Sequence, residues 1–556
     1  MRKALPGITR EGPGFALDFA GQAITAWPGE SLAAALTAAG VKALRQSGDG
    51  APRGLWCGMG VCGECMVLVD GQPARACLTA AAPGQQVAPH PARATPAEST
   101  AGAAEQIACD VLVVGAGPAG LAAARAAHDA GADVLLIDER SQAGGQYFKQ
   151  PGAGFAVDAA RLDAQFAEGR ALAGGYHGRH LAGITLWAAE ANDDGVLAMA
   201  RGADRALRIA ARRIVLAMGA HERAHMVPGW TLPGVMTTGA AQTLLRAYQT
   251  LPGARVLVAG NGPLNVQVAA EITRAGGTVV ALAEQAPAPW TRPALAAQLL
   301  AAGPGLALAG LAGLARLRSS GVPLLFGHVV LACHGTDRLE GVTLGRIGGD
   351  GRIVARTDLA VDALCIGAGF QPQAEVARAL GVAYAPGPLG WRAVRDDDGR
   401  AAPTVFVAGD GGGLGGARAA LAQGRLAGLA AARDCGHQAP DDAATRAELT
   451  AQRRFQLALW ALFAPLPLAE DITTPETIVC RCESVTRGRV EALIAGGACD
   501  VGSIKRACRL GMGRCQGRYC APWLAERLAG EPTLFAPRPP FKPMRVADIA
   551  ALADPP

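Results

Sequence analysis

The sequence predicts an α/β chain: a core of two dinucleotide-binding units with a small cysteine-bearing domain at each end. Three observations carry this. Residues 109–140 and 254–284 each run strand, glycine-rich turn, helix, strand. Residues 57–77 hold four cysteines around a glycine-studded loop, and residues 480–520 hold a second quartet as two close pairs. At 556 residues the chain is also too long for one hydrophobic core.

The first quartet reads "CGMGVCGECMVLVDGQPARAC". Cys57, Cys62 and Cys65 follow the C-x4-C-x2-C run of a plant-type [2Fe-2S] loop, and Cys77 is the fourth cysteine. "MVLV" signals a strand and "DG" a hairpin turn, so a hairpin at Gly71 would return Cys77 to the side of Cys65. Gly58, Gly60 and Gly63 allow the backbone to wrap closely and aim N–H groups at sulfur. Four thiolates also suit zinc, and disulfides are a third reading.

The next unit is "CDVLVVGAGPAGLAAARAAHDAGADVLLIDER". Gly115, Gly117 and Gly120 form G-x-G-x-x-G at a strand end, with Pro118 and Ala119 between the last two. Glycines there permit a tight turn, close approach to a pyrophosphate and close helix–strand packing, and the helix N-terminus faces the phosphates. Asp138 ends the second strand, where a carboxylate can accept from ribose hydroxyls, with Glu139 as the alternative. Two later pieces favour FAD over NAD. Gly144, Gly145 and Gln146 follow closely enough to line the pyrophosphate. A strand runs into Gly409 and Asp410, where two-dinucleotide flavoproteins return an Asp to the ribityl or phosphate region. The stretch around Met218 and Gly219 resembles the ATG segment of the same proteins.

A second fingerprint follows in "ARVLVAGNGPLNVQVAAEITRAGGTVVALAE". Gly260 and Gly262 match the first two glycines, Asn265 replaces the third, and Glu284 ends the second strand. The substitution predicts looser packing of helix on strand. This unit reads equally as an NAD(P)H site or as a scaffold that has lost its ligand. No C-x-x-C or C-x4-C lies near either fingerprint, which excludes a disulfide-reductase centre.

The second quartet is Cys480 and Cys482, then Cys515 and Cys520. Short helices could bring the two pairs around one metal centre, [2Fe-2S] or zinc. Cys499 and Cys508, between the pairs, are less plausible ligands and read as buried thiols. Arg481, Lys505, Arg506, Arg509, Arg514 and Arg518 surround the motif and could offset a negative cluster or dock a partner, with a solvated basic face as the plainer account.

Boundaries follow from composition. Residues 1–82 form a β-rich domain, and 83–106 a Pro/Ala/Ser-rich linker. Residues 107–434 form the two-dinucleotide core, with the second unit inserted at about 245–365. Residues 435–475 connect to the domain at 476–530, and 531–556 form an extended tail. The net charge of +5 includes no long basic run, so nucleic acid is not an expected partner. The first fifteen residues lack a continuous apolar run, and the clustered cysteines favour a reducing cytoplasm. Ala294–Ala315 carries no charge and is long enough to span a membrane. Pro304 and several glycines predict buried or surface-lying helices instead, with peripheral contact at the inner membrane face as the alternative.

The stretches "GAGPAGLAAA", "DERSQAGGQ", "PGWTLPGVMTTGAAQTLL", "GNGPLNVQVAAE", "VAGDGGGLGGARAALAQGR" and "GMGRCQGRYC" together resemble one family. It is the FAD-containing alpha-type subunit of heteromeric amine and amino-acid dehydrogenases: opine oxidase, hydrogen cyanide synthase, proline or hydroxyproline dehydrogenase, heterotetrameric sarcosine oxidase. The 476–530 region resembles the bacterioferritin-associated ferredoxin fold, and residues 1–82 resemble the family's small ferredoxin-like domain. The resemblance implies FAD at Gly115, Gly117, Gly120 and Asp138, and one [2Fe-2S] cluster on each quartet. It implies a hetero-oligomer with an FAD-dependent, glycine-oxidase-like beta subunit that carries the substrate site, FMN at the subunit interface, and a quinone or soluble carrier as acceptor. Relatives hold NAD or another adenine nucleotide in related sites. No catalytic residue for substrate chemistry is visible, and His221 and His225 read as structural. The rival readings are a self-sufficient NAD(P)H-dependent reductase and a nucleotide-binding structural subunit.

Overall fold

A computed structural model describes residues 1–92, 103–203, 205–528 and 534–552. Residues 93–102 of the expected linker and the end of the tail lie outside the described residues.

The N-terminal domain is a five-stranded sheet. Its order is Gln22–Ala26, Phe15–Phe19, Gln86–Pro89, Met66–Val69, Gln72–Arg75. Asp70 and Gly71 both take positive φ, as a two-residue type I′ turn requires, and Met66 pairs with Arg75 across it. The boundary expected at residue 82 cuts this sheet, because its central strand is Gln86–Pro89. Only Val87 of that strand is buried, so the segment offers no apolar pattern to read.

The first nucleotide unit places strand Glu105–Val114 beside Val134–Asp138, joined by helix Pro118–Asp129. The strand Ala206–Leu216 flanks it on the other side and pairs in turn with Val405–Val407. That last pairing carries Gly409 and Asp410 back to the first glycine loop. The helix Gly416–Asp434 then lies along Pro118–Asp129, so close that a Cβ on Gly424 would sit 2.0 Å from the Ala119 carbonyl oxygen.

The second unit is an all-parallel sheet ordered Val235–Thr237, Ala363–Ala368, Arg255–Asn261, Thr278–Glu284, Leu324–Phe326. Its helix is Pro263–Arg274. Asn265 does not loosen the packing. Its side chain is buried, accepts from Thr238 Oγ1 at 2.7 Å and donates to the Gly367 carbonyl at 3.0 Å, stitching helix to strand.

The uncharged segment folds as two helices, Pro293–Ala302 and Pro304–Ser319, broken at Gly303. They lie on the surface, with Leu300, Leu306, Leu308 and Leu311 exposed. Among the described residues no helix is long and apolar enough to cross a membrane. The C-terminal cysteine domain pairs strand Ile478–Cys480 with Val485–Thr486 and adds helices Arg487–Ala495, Val501–Cys508 and Cys520–Ala525. The tail is less extended than expected. It folds a helix at Val546–Ala550 and anchors upstream by burying Phe541 and Lys542.

Candidate functional site

One cavity of about 1510 Å³ opens between the two nucleotide units. Gly115, Gly117, Pro118 and Ala119 line it, from the first strand–helix turn. Asp138 and Glu139 reach it from the second strand, Gly145 and Gln146 from the loop after it, and Gly219 and Asp410 from the far side. Gly120, Gly144 and Gly409 pack immediately behind. A Cβ on Gly120 would fall 1.7 Å from the Gly115 carbonyl oxygen, and one on Gly145 would fall 2.7 Å from Gly117 Cα. Such a cradle lets a pyrophosphate approach backbone N–H groups, and it fits a dinucleotide.

The two adjacent acids differ. Asp138 accepts from the N–H of Ala116 at 2.6 Å and of Arg140 at 2.7 Å. Burial pushes its carboxyl up, and those N–H bonds only partly offset this. Glu139 is held by Lys542 Nζ at 2.8 Å and by Arg75 at 3.2 Å. Burial opposes its ionisation, but the two cations win and pull it down to about 2. Asp410 accepts from the N–H of Gly415 and Gly416 at the start of the long helix.

The second fingerprint is built differently. Gly260, Gly262 and Glu284 do not line the cavity, although the neighbouring Pro263 and Leu264 do. The ring of Trp460, on the connecting helix Ala443–Leu462, would lie 3.3 Å from a Cβ on Gly262. Asn261 Nδ2 donates to the Phe463 carbonyl at 2.7 Å. Glu284 is occupied by donors of its own chain: Asn261 Nδ2, and the N–H of Gly262 and Ala286, each at 2.9 Å. Burial still raises it to about 7 against those bonds.

All eight cysteines of the quartets are free thiols, which removes the disulfide reading. They come as pairs within hydrogen-bonding reach: Cys57 with Cys62, Cys65 with Cys77, Cys480 with Cys520, and Cys482 with Cys515. Two pairs per loop match a two-iron cluster, in which each iron takes two thiolates. Burial works against ionisation of Cys57. The Cys62 thiol and the N–H groups of Met59, Cys62 and Val61 outweigh it and pull Cys57 down to about 6. Cys482 is partly exposed and borders a cleft of about 1070 Å³, while the other seven are buried. Cys499 and Cys508, expected to be buried, are instead exposed and partly exposed, Cys499 just before the short helix Val501–Cys508 and Cys508 at its end.

The two cysteine loops are packed against each other and against the cavity. Met59 lines the cavity, and Arg140 donates to the Gly58 carbonyl at 3.1 Å. Glu64, between Cys62 and Cys65, accepts from Arg481 Nε at 2.9 Å and forms a short bond with Arg45. Burial raises its carboxyl, but the two arginines hold it below the usual range. Arg481, between Cys480 and Cys482, lies over the rings of Trp56 at 4.5 Å and Trp230 at 4.8 Å. Tyr519, next to Cys520, meets Trp56 edge-on at 6.2 Å and His221 at 5.1 Å. Arg481 Nη1 and the Tyr519 hydroxyl are buried with no hydrogen-bond partner among the described residues.

The solvated-face expectation therefore fails for Arg481 and Arg518, both of which are buried; Arg518 pairs with Glu375 at 2.9 Å. Arg509 does sit in solvent, paired with Glu483. His221 and His225 bond the carbonyls of Arg518 and Val330, as structural histidines do. Sequence reasoning missed Lys149 and Glu222, which both line the cavity. Burial draws Lys149 down to about 7 and lifts Glu222 to about 7. Lys149 lies three residues past the Gly-Gly-Gln turn, a usable signal; nothing around Glu222 marks it.

Comparison with known proteins agrees with this division. Residues 109–424 match the pyridine nucleotide-disulphide oxidoreductase family. Residues 15–91 match a 2Fe-2S iron-sulfur cluster binding domain, and 478–529 a BFD-like [2Fe-2S] binding domain. An opine oxidase subunit from Agrobacterium tumefaciens is 32% identical, over 80% of this chain and 92% of that one. The HcnB subunit of hydrogen cyanide synthase from Pseudomonas protegens is 30% identical, over 75% and 91%. The crystal structure of L-proline dehydrogenase from P. horikoshii has the same fold, with a TM-score of 0.73, 21% identity and 98% of each chain covered.

Proposed function

This chain belongs to the pyridine nucleotide-disulphide oxidoreductase family and, within it, to the alpha-type subunits of heteromeric amine and amino-acid dehydrogenases; from that premise we propose that it is the electron-transfer subunit of such a complex. Its cofactors are FAD and two [2Fe-2S] clusters. A flavin takes up an electron pair and iron–sulfur clusters carry electrons singly, so the set converts paired transfer into single-electron transfer.

The observation that carries the reading is one loop with two neighbours. Met59 of the first cysteine loop faces the dinucleotide cavity, while Glu64 of the same loop is ion-paired to Arg481 of the second. The cavity, the Cys57–Cys77 loop and the Cys480–Cys520 region thus stand in series, and the series ends at partly exposed Cys482. Gly115, Gly117, Gly145, Asp138 and Asp410 would hold the FAD, with Asp138 as the ribose acceptor because Glu139 is committed to Lys542 and Arg75. Cys57, Cys62, Cys65 and Cys77 would ligate one cluster, and Cys480, Cys482, Cys515 and Cys520 the other. The amine or amino acid would be oxidised on a glycine-oxidase-like partner protein, with FMN at the interface and a quinone or soluble carrier accepting the electrons.

The test is anaerobic and optical. NADH, then NADPH, is added to the purified chain while flavin and cluster absorbance are followed. Neither should bleach the chain, whereas dithionite should. Rapid bleaching by either nucleotide would replace this reading with a stand-alone reductase.

A further inference from the structure

The contact between the two cysteine loops is made of charge rather than apolar packing alone. Glu64 is wholly buried between Cys62 and Cys65, and Arg481 is almost wholly buried between Cys480 and Cys482. Their ion pair spans two domains 417 residues apart in the chain. Buried Arg45 bonds the same carboxylate, so one carboxylate faces two guanidinium groups, and buried Arg53 adds a third positive charge nearby. Burying such a group of charges carries a large desolvation penalty, and an apolar contact would hold two domains together as well or better. Stability alone is therefore a poor reason for it.

We propose that Glu64 and Arg481 are positioning residues that electrostatically couple the two [2Fe-2S] centres, each loop placing a charge against the other and setting its reduction potential. The inference rests on the ligand assignment above. Each centre gains one negative charge on reduction, and in a low-dielectric interior a fixed charge beside it shifts that equilibrium directly. The excess of arginine favours the reduced state. Trp56, in contact with Arg481 and one residue before Cys57, keeps water out of the junction.

The experiment is an EPR-monitored redox titration of the intact, anaerobically purified chain, with iron counted in each sample. Glu64→Gln removes the one negative charge and should raise both potentials. Arg481→Gln should lower both. Each shift should be about tenfold in the reduced-to-oxidised ratio at fixed potential, or ~59 mV for one electron. Arg481→Lys should stay near the parent value, as should Arg509→Gln, whose charge is in solvent. Unchanged potentials at full iron content would overturn the proposal, and so would shifts of the same sign in Glu64→Gln and Arg481→Gln. If a variant loses iron, the parent protein decides. With both centres reduced, its spectrum should show magnetic interaction absent from either alone, and a simple sum of two isolated signals would sink the coupling. Parent protein without two clusters would instead refute the ligand assignment, and the coupling with it.

Discussion

The two nucleotide units share one plan and differ in everything that decides occupancy. Both run strand, glycine turn, helix and strand, and both end the second strand in an acid. In the first, Gly120 brings the helix onto the strand, and the turn faces a large cavity. In the second, Asn265 replaces close approach with two hydrogen bonds, and Trp460 covers the turn. The fingerprint specifies a backbone path. What lies over the turn is specified elsewhere, here some two hundred residues later.

The largest expected effect tests the third position of each fingerprint. Gly120→Val would force a side chain into the Gly115 carbonyl and should abolish flavin retention, read as the loss of visible flavin absorbance from purified protein. Asn265→Ala should leave the flavin in place. It should cost about 1–3 kcal/mol of stability, because Thr238 and the Gly367 carbonyl lose a buried partner. Equal flavin loss in both variants would show that the units are not specialised as described.

Local chemistry explains what was legible in the sequence. The Asp70–Gly71 turn, the first glycine cradle and the pairing of Cys65 with Cys77 each depend on residues close in the chain, so their spacing carried the answer. The Glu64–Arg481 pair could not be read this way. Arg481 looks like any basic residue beside a cysteine until the first domain is docked on it. The strand Gln86–Pro89 was hidden for a different reason. A central strand with a single buried apolar side chain has no period to detect. Lys542 shows the same limit at the tail, since its partner Glu139 lies 403 residues upstream.

An intermediate effect probes the cover itself. Trp460→Ala should expose the second glycine turn and increase affinity for an adenine nucleotide by roughly tenfold, about 1.4 kcal/mol, while flavin content stays constant. Isothermal titration calorimetry with NADH and with ATP measures it. No gain for either would mean that Glu284 and Asn261, already bonded to their own chain, close the site without help from the indole.

The smallest effect compares the acids at the strand ends through pH. Glu284 sits at about 7 in the folded chain against an ordinary 4.5, because burial outweighs its N–H partners. Between about pH 4.5 and 7 the folded state therefore binds a proton that the unfolded state has released, and this contribution to stability falls as pH rises through that window. Glu139 behaves oppositely. Held near 2 against 4.5, it stabilises fully above about pH 4.5 and loses that contribution as pH drops toward 2. Glu284→Gln should flatten the dependence of Tm between pH 5 and 7 by about 2–4 °C, the equivalent of roughly 1 kcal/mol in a domain of this size. Glu139→Gln should leave that window unchanged and lower Tm throughout it, since Lys542 and Arg75 lose their counter-charge. If Glu284→Gln instead left the slope unchanged, the carboxyl would be ionised in the folded chain across this window, and the second turn would carry a fixed negative charge where a phosphate would have to bind.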